Sequence, residues 1–145
     1  MKYQVGRPGR VVIVRFEDRD DVLGNLVELA AKENIRSAVL YMVGGMREGS
    51  IVVGPEKDEF PPTPVWKKLG ESHEVLGVGT IFWQDDSPKV HFHGAFGKKE
   101  TVKVGCLREN SETFLVLEAV VIEIEGVTAR RELDPASGMV LLRLD

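Results

Sequence analysis

The segment KVHFHGAFGKKETVKVGCL, Lys89 to Leu107, decides how this chain folds. Lys89 to Phe96 is an apolar-bounded stretch that reads as a strand, Gly97-Lys98-Lys99-Glu100 reads as a turn, and Thr101 to Leu107 can return as an antiparallel partner. Side chains at i and i+2 of a strand point to one face, so His91 and His93 project together and Phe92 goes the other way. A reversal centred between Lys98 and Lys99 sets Cys106 opposite His91 and Val104 opposite His93. Lys98-Lys99 is a poor two-residue turn pair, which favours a longer loop with the same centre. Directly opposed residues share a face. Two imidazoles and a thiol then converge into a ligand set suited to zinc, with three protein ligands and a fourth position open; cobalt, nickel and copper suit the same donors. A one-residue slip would send Cys106 to the other face. The competing reading is a hydrogen-bonded polar pair on a half-buried sheet, with Cys106 as a small core residue.

Working outward, the upstream chain changes period. Arg10 to Phe16 (RVVIVRF) is β-branched and bounded by Gly9 and the acidic cluster Glu17 to Asp21, which predicts a first strand. Val22, Leu23, Leu26, Val27, Leu29 and Ala30 recur at helical spacing, with Asp20 or Asp21 able to cap the start and Asn34 near the end. Ser37 to Val43 is a nearly continuous apolar run, the pattern of a strand buried on both faces, and Gly44-Gly45 interrupts it. Gly49 to Gly54 and Glu74 to Trp83 are further strands, separated by a proline-rich surface loop from Pro55 to Pro64. Downstream, Phe114 to Glu125 reads as a long strand with Val116, Glu118, Val120, Ile122 and Ile124 on one parity, ended by Gly126. Thr128 to Leu133 and Met139 to Leu144 flank the turn Asp134-Pro135-Ala136-Ser137-Gly138. One helix and about seven to nine strands joined by short turns give an α+β fold with a largely antiparallel mixed sheet.

The chain has 145 residues, of which 43% are hydrophobic, enough for one globular domain over residues 1–145 with a real core. Its formal net charge of −4 gives the molecule as a whole no electrostatic reason to gather phosphate backbones. The N-terminal residues lack a signal-like apolar run and no stretch approaches the roughly 20 apolar residues of a membrane span, so a cytoplasmic protein without a membrane partner is expected. A single cysteine excludes an internal disulfide.

Taken in order, these landmarks resemble the plant-and-prokaryote-conserved (PPC) domain. The resemblance is carried by Arg10-Val11-Val12 and the acidic-capped helix, by Ile35 to Leu40 leading into Val43-Gly44-Gly45-Met46-Arg47, by Glu74-Val75-Leu76 and Gly79-Thr80-Ile81, and by His91-Phe92-His93 with Gly105-Cys106-Leu107. It spans nearly the whole chain. It implies an α+β fold, a homotrimer and, in plant members, a role beside an AT-hook in nuclear DNA-binding proteins; prokaryotic members are commonly stand-alone domains. Family members often carry His-x-His followed by Gly-Gly-His-Leu. Here Val104-Gly105-Cys106-Leu107 takes the second place, a ligand-for-ligand exchange of cysteine for histidine. The plant Gly-Arg-Phe-Glu-Ile-Leu segment survives only at its end, in Glu71-Ser72-His73-Glu74-Val75-Leu76, so the plant type of partner contact is not inherited.

Other polar residues have simpler readings. His73 is expected as an exposed loop or strand-start residue, and Glu74 as a carboxylate able to orient a metal-bound imidazole. Gly44-Gly45, with Arg47 nearby, is a bulge or sharp bend rather than an anion nest. Gly6-Arg7-Pro8 matches the core of an AT-hook, but Val5 stands where an arginine is expected, and one short basic segment neutralises few phosphates. Lys98-Lys99 and Arg130-Arg131 read as solvated turn or edge-strand charges. The sequence therefore points first to a trimeric zinc-binding module for a small ligand or a protein, with DNA disfavoured by charge. A zinc-dependent hydrolase or lyase using the open position is the alternative, although no acid/base motif identifies it. A DNA-associated regulator, suggested by the plant relatives, is the second alternative.

Overall fold

A computed structural model describes residues 1–144. The elements run β1 (Arg7–Glu17), α1 (Val22–Lys32), β2 (Ser37–Pro55), β3 (Pro64–Leu69), β4 (His73–Gln84), β5 (Ser87–Lys98), β6 (Thr101–Glu125), β7 (Arg130–Asp134) and β8 (Met139–Arg143). The main sheet is antiparallel in the order β1-β6-β5-β4-β2-β3, and β6 also pairs with β2. That second pairing closes β6, β5, β4 and β2 into a ring. β7 and β8 form a separate hairpin.

The ring closes because β2 and β6 are long enough to serve three neighbours each, β3, β4 and β6 for β2, and β1, β5 and β2 for β6. The two segments read from sequence as separate strands, Thr101 to Leu107 and Phe114 to Glu125, are the ends of one 25-residue strand. Gly49 to Gly54 likewise continues the strand begun at Ser37. Gly44 and Gly45 do not end β2; the β2–β6 register shifts between Gly44 and Met46, which makes this an irregularity inside a continuous strand. Gly44 has φ +135°, and a Cβ there would stand 2.6 Å from the Val116 carbonyl oxygen and 2.7 Å from the Leu117 Cα. Only glycine fits both the backbone angle and the approach.

Alternation decides the two faces. Phe92 and Phe96 of β5 and Leu117, Ala119 and Val121 of β6 point inward and are buried. They pack with Leu40, Met42 and Ile81 and with Val22, Leu26 and Ala30 of the helix. A Cβ on Gly77 would collide with the Phe92 ring, so this glycine of β4 leaves the space that the ring fills. The helix starts at Asp21, as expected, but the Asp21 side chain makes no capping bond to it and accepts instead from the Ser111 hydroxyl at 2.7 Å.

The expectation that Ser37 to Val43 is buried on both faces is corrected. Tyr41 and Val43 are exposed while Leu40 and Met42 are buried, so this run has one core face and one apolar outer face in the single chain. Val120, of the parity noted in Phe114 to Glu125, lies on the same outer side, opposite Tyr41.

Candidate metal centre

The β5–β6 hairpin turns one residue later than the sequence suggests. Lys98 pairs with Thr101, so a two-residue turn at Lys99-Glu100 replaces the longer loop, with Lys99 at φ +53°. Cys106 consequently lies opposite His93 rather than His91. Moving the centre by one residue moves the pairing by two, which preserves parity. Cys106 therefore stays on the face of both histidines, and Phe92, as expected, turns into the core.

Register extends this face across the ring. Ile13 pairs with Val120, Val120 with Tyr41, Tyr41 with Val78, Val78 with His93, and His93 with Cys106. The cluster thus sits on the outer surface of the closed sheet, continuous with exposed aliphatic side chains.

The ligand atoms of His91, His93 and Cys106 all lie within 4.8 Å of one another. The two Nε2 atoms are 3.0 Å apart, with the rings nearly perpendicular at 78°. On a tetrahedral zinc with Zn–N of about 2.0–2.1 Å and Zn–S of about 2.3 Å, two nitrogens stand roughly 3.3 Å apart and nitrogen and sulfur roughly 3.6 Å apart. The imidazole pair already has that spacing. The sulfur needs a shift on the order of 1 Å, within reach of a χ1 adjustment. Donor types and spacing fit the metal.

The electrostatics of the cluster involve two residues that the sequence left as ordinary surface charges or did not single out. Arg131 of β7 is no solvated edge charge: its Nη2 donates to Thr80 Oγ1 at 3.1 Å and approaches His91 Nδ1 at 3.2 Å. A guanidinium only donates, so Nδ1 accepts and the His91 proton sits on Nε2, from which it is donated to His93 Nε2. Burial, then the Arg131 charge, then His93 and Arg108, hold the His91 pKa down to about 4. Burial raises the Cys106 pKa, against the pull of Arg108 and Arg131. Zinc at His91 Nε2 moves the ring proton to Nδ1, which requires the Arg131 contact to open.

The remaining expectations fall outside the cluster. His73 does start β4, but it is buried at 7% exposure rather than solvated, with Nδ1 2.5 Å from the Glu71 carbonyl oxygen. Glu74 pairs with Gly97, four positions along β4 from Val78, the partner of His93, so it is not placed to orient either imidazole. Arg47 is consumed by Asp18 at 2.6 Å and Glu112 at 2.9 Å, which leaves no anion nest beside Gly44-Gly45. Arg7, at the start of β1, pairs with Glu125 at 3.0 Å, and Lys98 pairs with Glu71. No helix among the described residues is long and apolar enough to cross a membrane.

A closed antiparallel sheet with one helix and an outer-face His-x-His/Cys cluster defines a small class of protein. The chain belongs to the Plants and Prokaryotes Conserved (PCC) domain family, the PPC domain of the sequence reading, whose model matches residues 3–125. It is similar to a metal-containing protein of Archaeoglobus fulgidus, at 26% identity and TM-score 0.84 over 97% of this chain and 98% of that one. A plant- and prokaryote-conserved protein of Pyrococcus horikoshii aligns at 25% identity and TM-score 0.86, covering 99% and 97% of the respective chains. A protein of Ralstonia eutropha JMP134, named as a DNA-binding candidate, shares the fold at 23% identity and TM-score 0.77 over 92% and 90%. No curated protein matches the chain.

Proposed function

We propose that this PCC domain binds zinc through His91, His93 and Cys106, keeps a fourth coordination position exchangeable, and acts as a homotrimeric module for a small ligand or a protein. The observation that carries this reading is the convergence of three donor atoms within 4.8 Å on one outer face. The metal-containing relative from Archaeoglobus fulgidus supports it. When bound, the metal supplies a Lewis-acidic position; the chain's part is to hold the donors, with Phe92 anchoring the strand that presents both imidazoles. The homotrimer accounts for the exposed apolar patch that includes Ile13, Tyr41, Val43 and Val78, since a sheet face of this kind needs cover.

Metal analysis of tag-free protein tests the site. Wild type is expected to retain zinc near one per chain, and His93→Ala and Cys106→Ala to lose more than roughly 100-fold in affinity, beyond what loss of an outer partner costs. Equal retention in all three rejects the ligand set. Light scattering tests the trimer, and a monomer at micromolar concentration rejects it.

A further inference from the structure

Beside the cluster, a cleft of about 590 Å³ opens between the β2–β3 edge and the C-terminal hairpin, within the size range of small-molecule sites. His93, Cys106 and Arg108 share its wall with the apolar side chains of Trp66, Pro62 and Met139, and across the sheet His93 pairs with Cys106, Cys106 with Val52 and Val52 with Trp66. Arg108 sits at one of the irregularities of the β2–β6 pairing. Ser50 pairs with Glu109 and Ile51 with Leu107, so Arg108 is the extra residue of a β-bulge. Bulges of this kind re-aim a side chain. No ion-pair or hydrogen-bond partner holds Arg108 among the described residues. Glu109 is the one carboxylate on the cleft wall, and it makes no ion pair with Arg108, whose guanidinium stays available to an anion.

We propose that this cleft binds a small organic acid with an aromatic or branched apolar body, its carboxylate between Arg108 and the open side of the His91/His93/Cys106 cluster. A guanidinium presents paired donors that match a carboxylate, and here no protein carboxylate competes for them. The apolar body lies against Trp66, Pro62 and Met139. This names the ligand class for the proposed function; it rests on the metal reading for the metal's share of the carboxylate, whereas the Arg108 contact stands alone.

Benzoate, with benzamide as its neutral analogue, tests the site by nuclear magnetic resonance of the Trp66 indole N–H, assigned with Trp66→Phe, in zinc-loaded and chelator-treated protein. Benzoate is expected to shift the Trp66 signal and bind at least about tenfold more tightly than benzamide, and Arg108→Gln to remove that preference. Arg108 is exposed, so its replacement leaves the fold intact. Equal affinity for benzoate and benzamide, or an unchanged preference in Arg108→Gln, overturns the proposal. Zinc loading without benzoate binding overturns the cleft while leaving the metal centre standing. Arg108-dependent benzoate binding in protein that takes up no zinc supports the cleft and rejects the metal centre.

Discussion

Two regions of this protein place arginines against the main sheet and differ in charge. Around Gly44-Gly45-Met46-Arg47, the guanidinium meets the carboxylates of Asp18 and Glu112 and lies 5.0 Å from the centre of the Phe114 ring. Around His91-Phe92-His93, Arg131 donates to a hydroxyl and an imidazole, and Arg108 has no partner among the described residues. The first region is neutralised and holds β2 against β6. The second keeps positive charge next to neutral donors, an arrangement that costs stability and gains only when an anion or a metal with an anion arrives. A basic residue near a glycine pair is thus weak evidence for a site until its carboxylates are counted.

The sharpest test of the structural role of the first region is Gly44→Ala. The left-handed φ and the contact with Val116 and Leu117 backbone both oppose a side chain. A loss of about 2–4 kcal/mol in denaturant unfolding is expected. Stability within about 0.5 kcal/mol of wild type means that this irregularity is not the constraint described. Arg47→Ala is next, because it removes the closest cation from the partly buried Glu112 carboxylate and from the exposed Asp18, which keeps the Leu115 N–H and the more distant Arg19. A smaller destabilisation than that of Gly44→Ala is expected, with zinc affinity unchanged. A fall in zinc affinity instead erases the contrast between the regions.

Arg131→Ala should behave in the opposite way. Removing a cation and freeing His91 Nδ1 from its donor favours the tautomer that coordinates through Nε2. Zinc affinity is expected to rise roughly tenfold, read by competition with a chelating dye, with stability changed by less than about 1 kcal/mol. Weaker zinc binding means that Arg131 supports the metal, by holding its anionic ligand, more than it opposes it.

Much of this was legible in the sequence because alternation and turn chemistry are local. The period-2 pattern of Arg10 to Phe16, the helical spacing from Val22 to Ala30 and the turn at Asp134 to Gly138 each carry their own structure. The face shared by His91, His93 and Cys106 was legible for a different reason: parity survives an even change of pairing. What was hidden is non-local. Nothing near Arg108 in sequence marks it as a bulge, since that is set by pairing with Ser50 and Ile51 on a strand far upstream. Arg131 reaches His91 only because the β7–β8 hairpin lies against β4. The outward exposure of Tyr41 and Val43 also escaped, because a continuous apolar run looks the same whether its second face meets the core or another subunit.

The last expected effect is a pH dependence in metal-free protein, reduced by solvent screening because the imidazole is only half-buried. The folded pKa of His91 is about 4, against an ordinary value of 6.5. Between these values the unfolded chain binds a proton that the folded protein excludes, so stability rises with pH across this window. His91 contributes its full share above pH 6.5 and loses it progressively as pH falls towards 4. Burial is the largest cause and remains in Arg131→Ala, whereas the repulsion from the Arg131 guanidinium is lost, so this variant should narrow the window without abolishing it. His91→Gln should remove the contribution, since its amide does not titrate. Chemical denaturation in chelator from pH 4 to 6.5 reads the three slopes. Equal slopes in wild type and His91→Gln would show that the His91 imidazole titrates normally, and with it that Arg131 and Arg108 do not hold uncompensated charge beside the cluster.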